Sequence, residues 1–367
     1  MSARTIHLVM GARPNFMKVA PLYHLLKRED WCVPILVHTG QHYDATMSDW
    51  FLRDLGLPTP NIQLGVGSGS HAEQTGKVMA AYEMACVANR PDFTVVVGDV
   101  NSTLACAMAA KKLCLPVGHL EAGLRSFDRR MPEEINRVVS DLLSDILWTP
   151  SSDADENLAR EGICAERVCR VGNIMIDALE LLREKIERER TAADFGLQPG
   201  GFGVVTLHRP SNVDNAESLG DLIDQLVCIA TLVPLVFPIH PRTRQRLEQF
   251  RYLPRLEAAA GIHLCKPMGY VRFAGLLREA VFAITDSGGL QGETTYMGVP
   301  CLTMRENTEQ PVTISEGTNA LVTRAELVGQ VNKVLAGRWP KGRVPALWDG
   351  QTAKRVVTNL RNFLSER

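Results

Sequence analysis

Between His119 and Arg137 the chain reads HLEAGLRSFDRRMPEEINR, with Glu121, Arg125, Asp128, Arg129, Arg130, Glu133, Glu134 and Arg137 crowded into one loop and the start of one helix. These charges follow the apolar run LCLPVGHL, which reads as a strand at 115–120. They therefore fall at a strand's C-terminal end, where open α/β sheets bind their ligands. Pro132 suits the first turn of the next helix. On that helix Glu133 and Arg137 are four residues apart and share a face. Carboxylates mixed with guanidinium groups point to proton transfer beside an anionic ligand. The alternative is a salt-bridged loop.

Other strand ends carry similar chemistry. Gly11-Ala12-Arg13-Pro14-Asn15 follows the first strand and opens a helix, so its free backbone N–H groups favour an anion, with Arg13 and Lys18 as added cations. Asp99, in VVVGDVNST, closes another strand and is either a reactive carboxylate or an N-cap. His208 and Arg209, in TLHRPSN, stand after the first strand of the second half. TDSGGLQGE offers Ser287, Gly288 and Gly289 at a helix N-terminus, where a diphosphate can approach the backbone closely, and Glu293 one turn later as an acceptor for a ribose diol. PIHPRTR adds Arg242 and Arg244, either surface charge or readers of a substrate anion.

Short apolar strands at 5–10, 34–38, 93–98, 115–120, 146–149 and 168–171 alternate with amphipathic helices at 14–27, 72–87 and 102–112. A charged helical stretch at 176–190 precedes a glycine-rich hinge at 194–203. Alternation then restarts with strands at 203–207, 234–240, 262–265, 281–285 and 299–304. Strands alternating with helices give parallel sheets, so the fold class is α/β, with two Rossmann-like doubly wound domains facing a cleft. The expected domains are 1–172, rejoined by the C-terminal helix 352–367, and 173–351.

Bulk properties exclude other classes. A formal net charge of −1 gives no global field for nucleic acid or a membrane surface. No run approaches the roughly 20 apolar residues of a membrane span. Nine scattered cysteines without a Cys-x-x-Cys read as buried reduced thiols of a cytoplasmic protein. The nine histidines form no metal-ligand spacing, so no metal is expected. GxxxxGK[ST] and GxGxxG are both missing, against a P-loop nucleotidase or an NAD enzyme.

Taken together, GARPNFMK, VVVGDVNSTLA, GHLEAGLRSFDRRMPEEINR, VGNIMIDAL, TLHR, TDSGGLQGET and GVPCLTMRENTE resemble the non-hydrolysing UDP-N-acetylglucosamine 2-epimerase family. The resemblance implies the glycosyltransferase-B architecture, with 353–365 as a final helix that returns to the first domain. It implies an isomerase that inverts C2 of the sugar by eliminating UDP to a 2-acetamidoglucal and adding it back. Asp99, Glu121 and Glu133 then match catalytic carboxylates, and His208 a catalytic histidine. Arg13 and Lys18 match residues lining the active site, and Ser287, Gly288, Gly289 and Glu293 the UDP-binding turn. Arg137, Arg209 and Arg305 are further substrate-binding candidates. No cofactor is implied. The partner is a UDP-sugar, and the assembly a homodimer.

Departures from the family pattern bear on regulation and substrate. Gln41-His42-Tyr43-Asp44 stands where many members carry charges for a second, activating UDP-N-acetylglucosamine, and 68–75 has no arginine. HRPSN replaces HRREN, and Gln310 stands where arginine is commoner. QHYD-x-x-MS and HPRTR also resemble relatives acting on UDP-diacetamido-glucuronic acid, whose extra carboxylate Arg242 or Arg244 would meet. Same-fold hydrolysing epimerases and glycosyltransferases are further alternatives.

Overall fold

A computed structural model describes residues 3–40 and 52–366, with the backbone alone for Arg13. The QHYD segment and Met47-Ser48 lie outside the described residues. The chain forms two compact units, Met1–Leu182 with Ala346–Arg367, and Arg183–Pro345.

The first unit holds a seven-stranded sheet built from β1 (Arg4–Met10), β2 (Cys32–His38), β3 (Ile62–Gln63), β4 (Phe93–Val97), β5 (Val117–Leu120), β6 (Ile146–Thr149) and β7 (Val168–Arg170), in the order β3-β2-β1-β4-β5-β6-β7. Among the described residues every pairing is parallel, with Ile6 opposite Pro34 on one side of β1 and opposite Phe93 on the other. All five residues of β4, FTVVV, are buried, as a strand covered on both faces requires. Order reverses between β1 and β4, so the loops after these two strands diverge around one crevice.

The second unit repeats this plan with β8 (Gly203–Thr206), β9 (Leu235–Pro238), β10 (Ile262–Cys265), β11 (Phe282–Thr285), β12 (Cys301–Thr303) and β13 (Asn319–Leu321), ordered β10-β9-β8-β11-β12-β13. Its switch point lies between β8 and β11. Val205, Leu222, Phe237, Ile284 and Leu302 belong to its apolar core. Both units are thus doubly wound α/β sheets.

The chain divides at Leu182/Arg183 rather than at 172/173. The helix Ile174–Leu181 stays with the first unit because Asp177 accepts from the backbone N–H groups of Thr352 (3.1 Å) and Ala353 (2.8 Å), capping the helix Thr352–Ser365. That helix is pinned again where Trp148 Nε1 donates to Asn359 Oδ1 at 2.8 Å. The glycine-rich stretch expected as a hinge lies inside the second unit: Gly200 N donates to Glu279 O at 2.7 Å and Phe202 is fully buried. All nine cysteines are free, but Cys114, Cys164 and Cys228 are exposed, so the expected burial holds only in part. Among the described residues no helix is long and apolar enough to cross a membrane.

Candidate active site

In the first unit, the helix Arg13–Leu26 and the ends of β4 and β5 bring two ion pairs to the switch point. Lys18 Nζ lies 2.7 Å from Glu121 Oε1. Gly98 makes this pair possible, since a Cβ there would sit 2.7 Å from Lys18 Nζ, and its φ of +67° is in the left-handed region. Glu121 itself has φ +72°, a conformation non-glycine residues adopt at a cost and that concentrates at functional sites. Asp99 Oδ2 accepts from Arg137 Nη2 at 2.5 Å, and Arg137 Nη1 donates to Glu134 Oε2 at 2.9 Å. Val100, not Asp99, is the N-cap of the following helix, so capping does not account for this carboxylate.

Glu133 and Arg137 share the helix Pro132–Leu143, yet Glu133 is exposed while Arg137 is buried. The inward carboxylate is Glu134, which takes the Ser126 and Phe127 N–H groups at 2.9 and 2.8 Å and so fixes the charged loop. Arg13 opens the first helix. Contrary to expectation, the amides of the turn before it are already used: Gly11 N and Ala12 N donate to Asn15 Oδ1 at 3.2 and 2.8 Å. This turn therefore has only side chains left to offer an anion at those two positions.

Behind the ion pairs lies a buried network. His119 Nδ1 is 2.6 Å from Asp141 Oδ1, and its Nε2 is 2.8 Å from the Gly98 carbonyl. Asp141 also takes Gly123 N and lies 2.7 Å from Arg125 Nη2. Burial alone would push the Asp141 carboxyl up, but His119 and Arg125 outweigh it and hold it below the usual carboxylate range. The carbonyl between β4 and Asp99 is thereby locked.

In the second unit Asp286 organises the loop after β8. Its carboxylate lies 2.8 Å from His208 Nδ1 and accepts from His208 N, Arg209 N (2.8 Å) and Asn212 Nδ2 (3.1 Å). Burial raises this carboxyl, but the His208 contacts and these donors win and leave it lowered. His208 is thus oriented through Nδ1, leaving Nε2 as the ring nitrogen for chemistry. Arg209 Nε is spent on the Asp286 carbonyl at 2.9 Å.

Ser287 is the N-cap of the helix Gly288–Met297 and makes no side-chain cap bond, while Gly289 has open space where a Cβ would lie. Glu293 is buried and accepts from Tyr270 Oη at 3.0 Å; burial pushes its carboxyl up to about 7. The Arg305 side chain is nearly sealed from solvent beside Glu309, with Nη2 2.7 Å from Oε2, in an orientation that makes no hydrogen bond. Gln310 Nε2 donates to the Gly288 carbonyl at 3.1 Å. Arg242 is tied to Asp214, and Arg244 lies 3.0 Å from Glu248.

Sequence reasoning gave no role to Asp141, Asp286, Glu134, Asn15 or Tyr270. Asp141 sits one turn beyond Arg137 on the same helix, a spacing that could have marked it. Asp286 lay inside the quoted TDSGG segment. Among the described residues no cluster of His, Cys, Asp and Glu could hold a metal ion.

Residues 24–361 match the sequence profile of a family described as UDP-N-acetylglucosamine 2-epimerase. The chain is 41% identical over 361 residues to the UDP-N-acetylglucosamine 2-epimerase of Methanocaldococcus jannaschii, covering 96% of this chain and 97% of the relative. It is 37% identical over 357 residues to the UDP-2,3-diacetamido-2,3-dideoxy-D-glucuronate 2-epimerase of Pseudomonas aeruginosa, covering 96% and 98%. A crystal structure of the Methanocaldococcus jannaschii UDP-GlcNAc 2-epimerase, in complex with UDP-GlcNAc and UDP, superposes with a TM-score of 0.89 at 37% identity, covering 98% of this chain and 99% of that one. With a sheet switch point in each unit carrying the carboxylates, the histidine and the glycine turn, the chain belongs to the UDP-N-acetylglucosamine 2-epimerase family of isomerases.

Proposed function

We propose that this chain interconverts UDP-N-acetylglucosamine and UDP-N-acetylmannosamine by anti elimination of UDP and re-addition. The C2 hydrogen has no adjacent carbonyl, so its direct removal is slow. Elimination instead breaks C2–H and the C1–O bond to UDP together. A carboxylate takes the proton, UDP leaves with the bonding pair, and a 2-acetamidoglucal remains. Protonation of C2 from the opposite face, with UDP returning to C1, gives the epimer. Asp99, Glu121 and Glu133 exchange the protons. Lys18 and Arg137 position the first two, and Arg13 adds positive charge at the same turn. His208, oriented by Asp286, assists the departing diphosphate.

The observation that carries this reading is the pair of cation-held carboxylates, Lys18–Glu121 and Arg137–Asp99, at the first sheet's switch point. The UDP group is assigned to Ser287, Gly288 and Gly289, with Arg209 and Arg305 nearby and Glu293 on ribose. NMR of the purified protein with UDP-N-acetylglucosamine tests it. A second UDP-sugar is expected; free N-acetylmannosamine would make the chain a hydrolysing epimerase, and no turnover would sink the reading.

The Pseudomonas aeruginosa relative favours a second substrate, UDP-2,3-diacetamido-2,3-dideoxy-D-glucuronate. Against it, Arg242 and Arg244 already hold Asp214 and Glu248. Comparing kcat/KM for the two sugars decides between them. The homodimer belongs to the same reading, and sedimentation equilibrium tests it.

A further inference from the structure

The helix Gly288–Met297 has no acidic residue in its own first turn, yet a carboxylate reaches it from elsewhere. A Cβ on Gly288 would overlap Glu309 Oε1 and lie 3.4 Å from Arg305 Nη1, so the ion pair sits on the first residue of this helix. The position is the most electropositive of the helix. Both groups are nearly sealed from solvent, with side-chain exposures of 4% for Arg305 and 8% for Glu309. Arg305 Nη1 and Nη2 make no hydrogen bond there, an expensive arrangement for a buried guanidinium. The residues on either side of Glu309 are tied to the same helix through their side chains: Thr308 Oγ1 donates to Gln291 Oε1 at 2.6 Å, and Gln310 Nε2 to the Gly288 carbonyl at 3.1 Å.

We propose that the Glu309 carboxylate is an internal stand-in for phosphate. It occupies the N-terminus of Gly288–Met297 while the cradle is empty, and an incoming nucleoside diphosphate displaces it and takes Arg305 as its partner. Glu309 thereby sets how tightly the diphosphate is held and how readily UDP leaves. The inference rests on the assignment of UDP to the Ser287–Gly289 turn.

The test is calorimetric titration of UDP, with uridine as a control lacking phosphate. Glu309→Gln removes the competing charge, and Glu309→Asp keeps it beside Arg305 but one methylene short of Gly288. Both should bind UDP about tenfold tighter, the scale of a charge-assisted hydrogen bond, with uridine binding unchanged. If Glu309→Gln does not fold, Glu309→Asp carries the test alone. UDP affinity equal to or weaker than that of the unmodified chain, in a folded variant, overturns the stand-in role. Gly289→Val separates the two claims, because a Cβ at this position meets nothing in the protein within 4 Å and points the added bulk at the ligand's place. Loss of UDP binding in Gly289→Val with unchanged affinity in the Glu309 variants leaves the cradle and removes the stand-in. Undiminished binding in Gly289→Val removes the cradle itself, and the stand-in with it.

Discussion

At Glu293 the fold buries a carboxylate against Tyr270 and pushes its pKa from 4.5 up to about 7. The sign follows directly. The folded chain keeps this proton where the unfolded chain has lost it, so stability falls as pH rises from about 4.5 to about 7 and then levels off. A shift of that size corresponds to about 3 kcal/mol. Glu293→Gln should therefore flatten the pH dependence and raise ligand-free thermal stability at pH 8, while weakening UDP roughly tenfold because a neutral amide oxygen replaces the charged acceptor proposed for the ribose. Parallel pH–stability curves for the two proteins would place the burial cost elsewhere. The carboxylates proposed to react should behave differently: Asp99→Asn, Glu121→Gln and Glu133→Gln should each cut turnover about 100-fold or more, measured at a temperature where the variant is folded. Near-normal rates in all three would remove the carboxylates from the chemistry. Glu121 and Asp99 were legible in the sequence because each closes an apolar strand. Their pairing with Lys18 and Arg137 was not, since the Lys18–Glu121 pair spans 103 residues and only the fold joins them.

At the scale of elements, the long strands and helices were legible because their apolar periods run through several residues. Ile62–Gln63 and Asn319–Leu321 were not, as two or three residues show no period. The stretch 176–190 reads as one helix, but the chain breaks it into Ile174–Leu181 and Arg183–Arg188, and the two units part between them. The interaction that decides this boundary is a cap made across the sequence by Asp177, whose carboxyl burial raises while the Thr352 and Ala353 amides pull it back. Asp177→Ala should lower stability by about 1–2 kcal/mol, the usual range for a lost cap, measured by urea denaturation. Catalysis should survive at temperatures where the variant is folded. Unchanged stability would mean that apolar contacts such as Phe93–Phe363, with centroids 5.6 Å apart, suffice to seat the last helix.

For the whole molecule, one plan appears twice: a parallel sheet whose order reverses beside its first strand, with chemistry loaded onto the loops at that reversal. The two copies carry different groups, carboxylates with lysine and arginine in one, and a histidine with a glycine turn in the other. Such a division suits a reaction that separates a sugar proton from a diphosphate and then reunites them. The proton is the feature to follow. If C2 is deprotonated on one face and reprotonated on the other by side chains that equilibrate with water, UDP-sugar epimer formed in heavy water must carry deuterium at C2, with no nicotinamide added. Proton NMR of that product should show the C2 signal lost. Product that keeps its original C2 hydrogen would contradict reprotonation by side chains in exchange with water and point instead to redox chemistry or a shielded proton transfer.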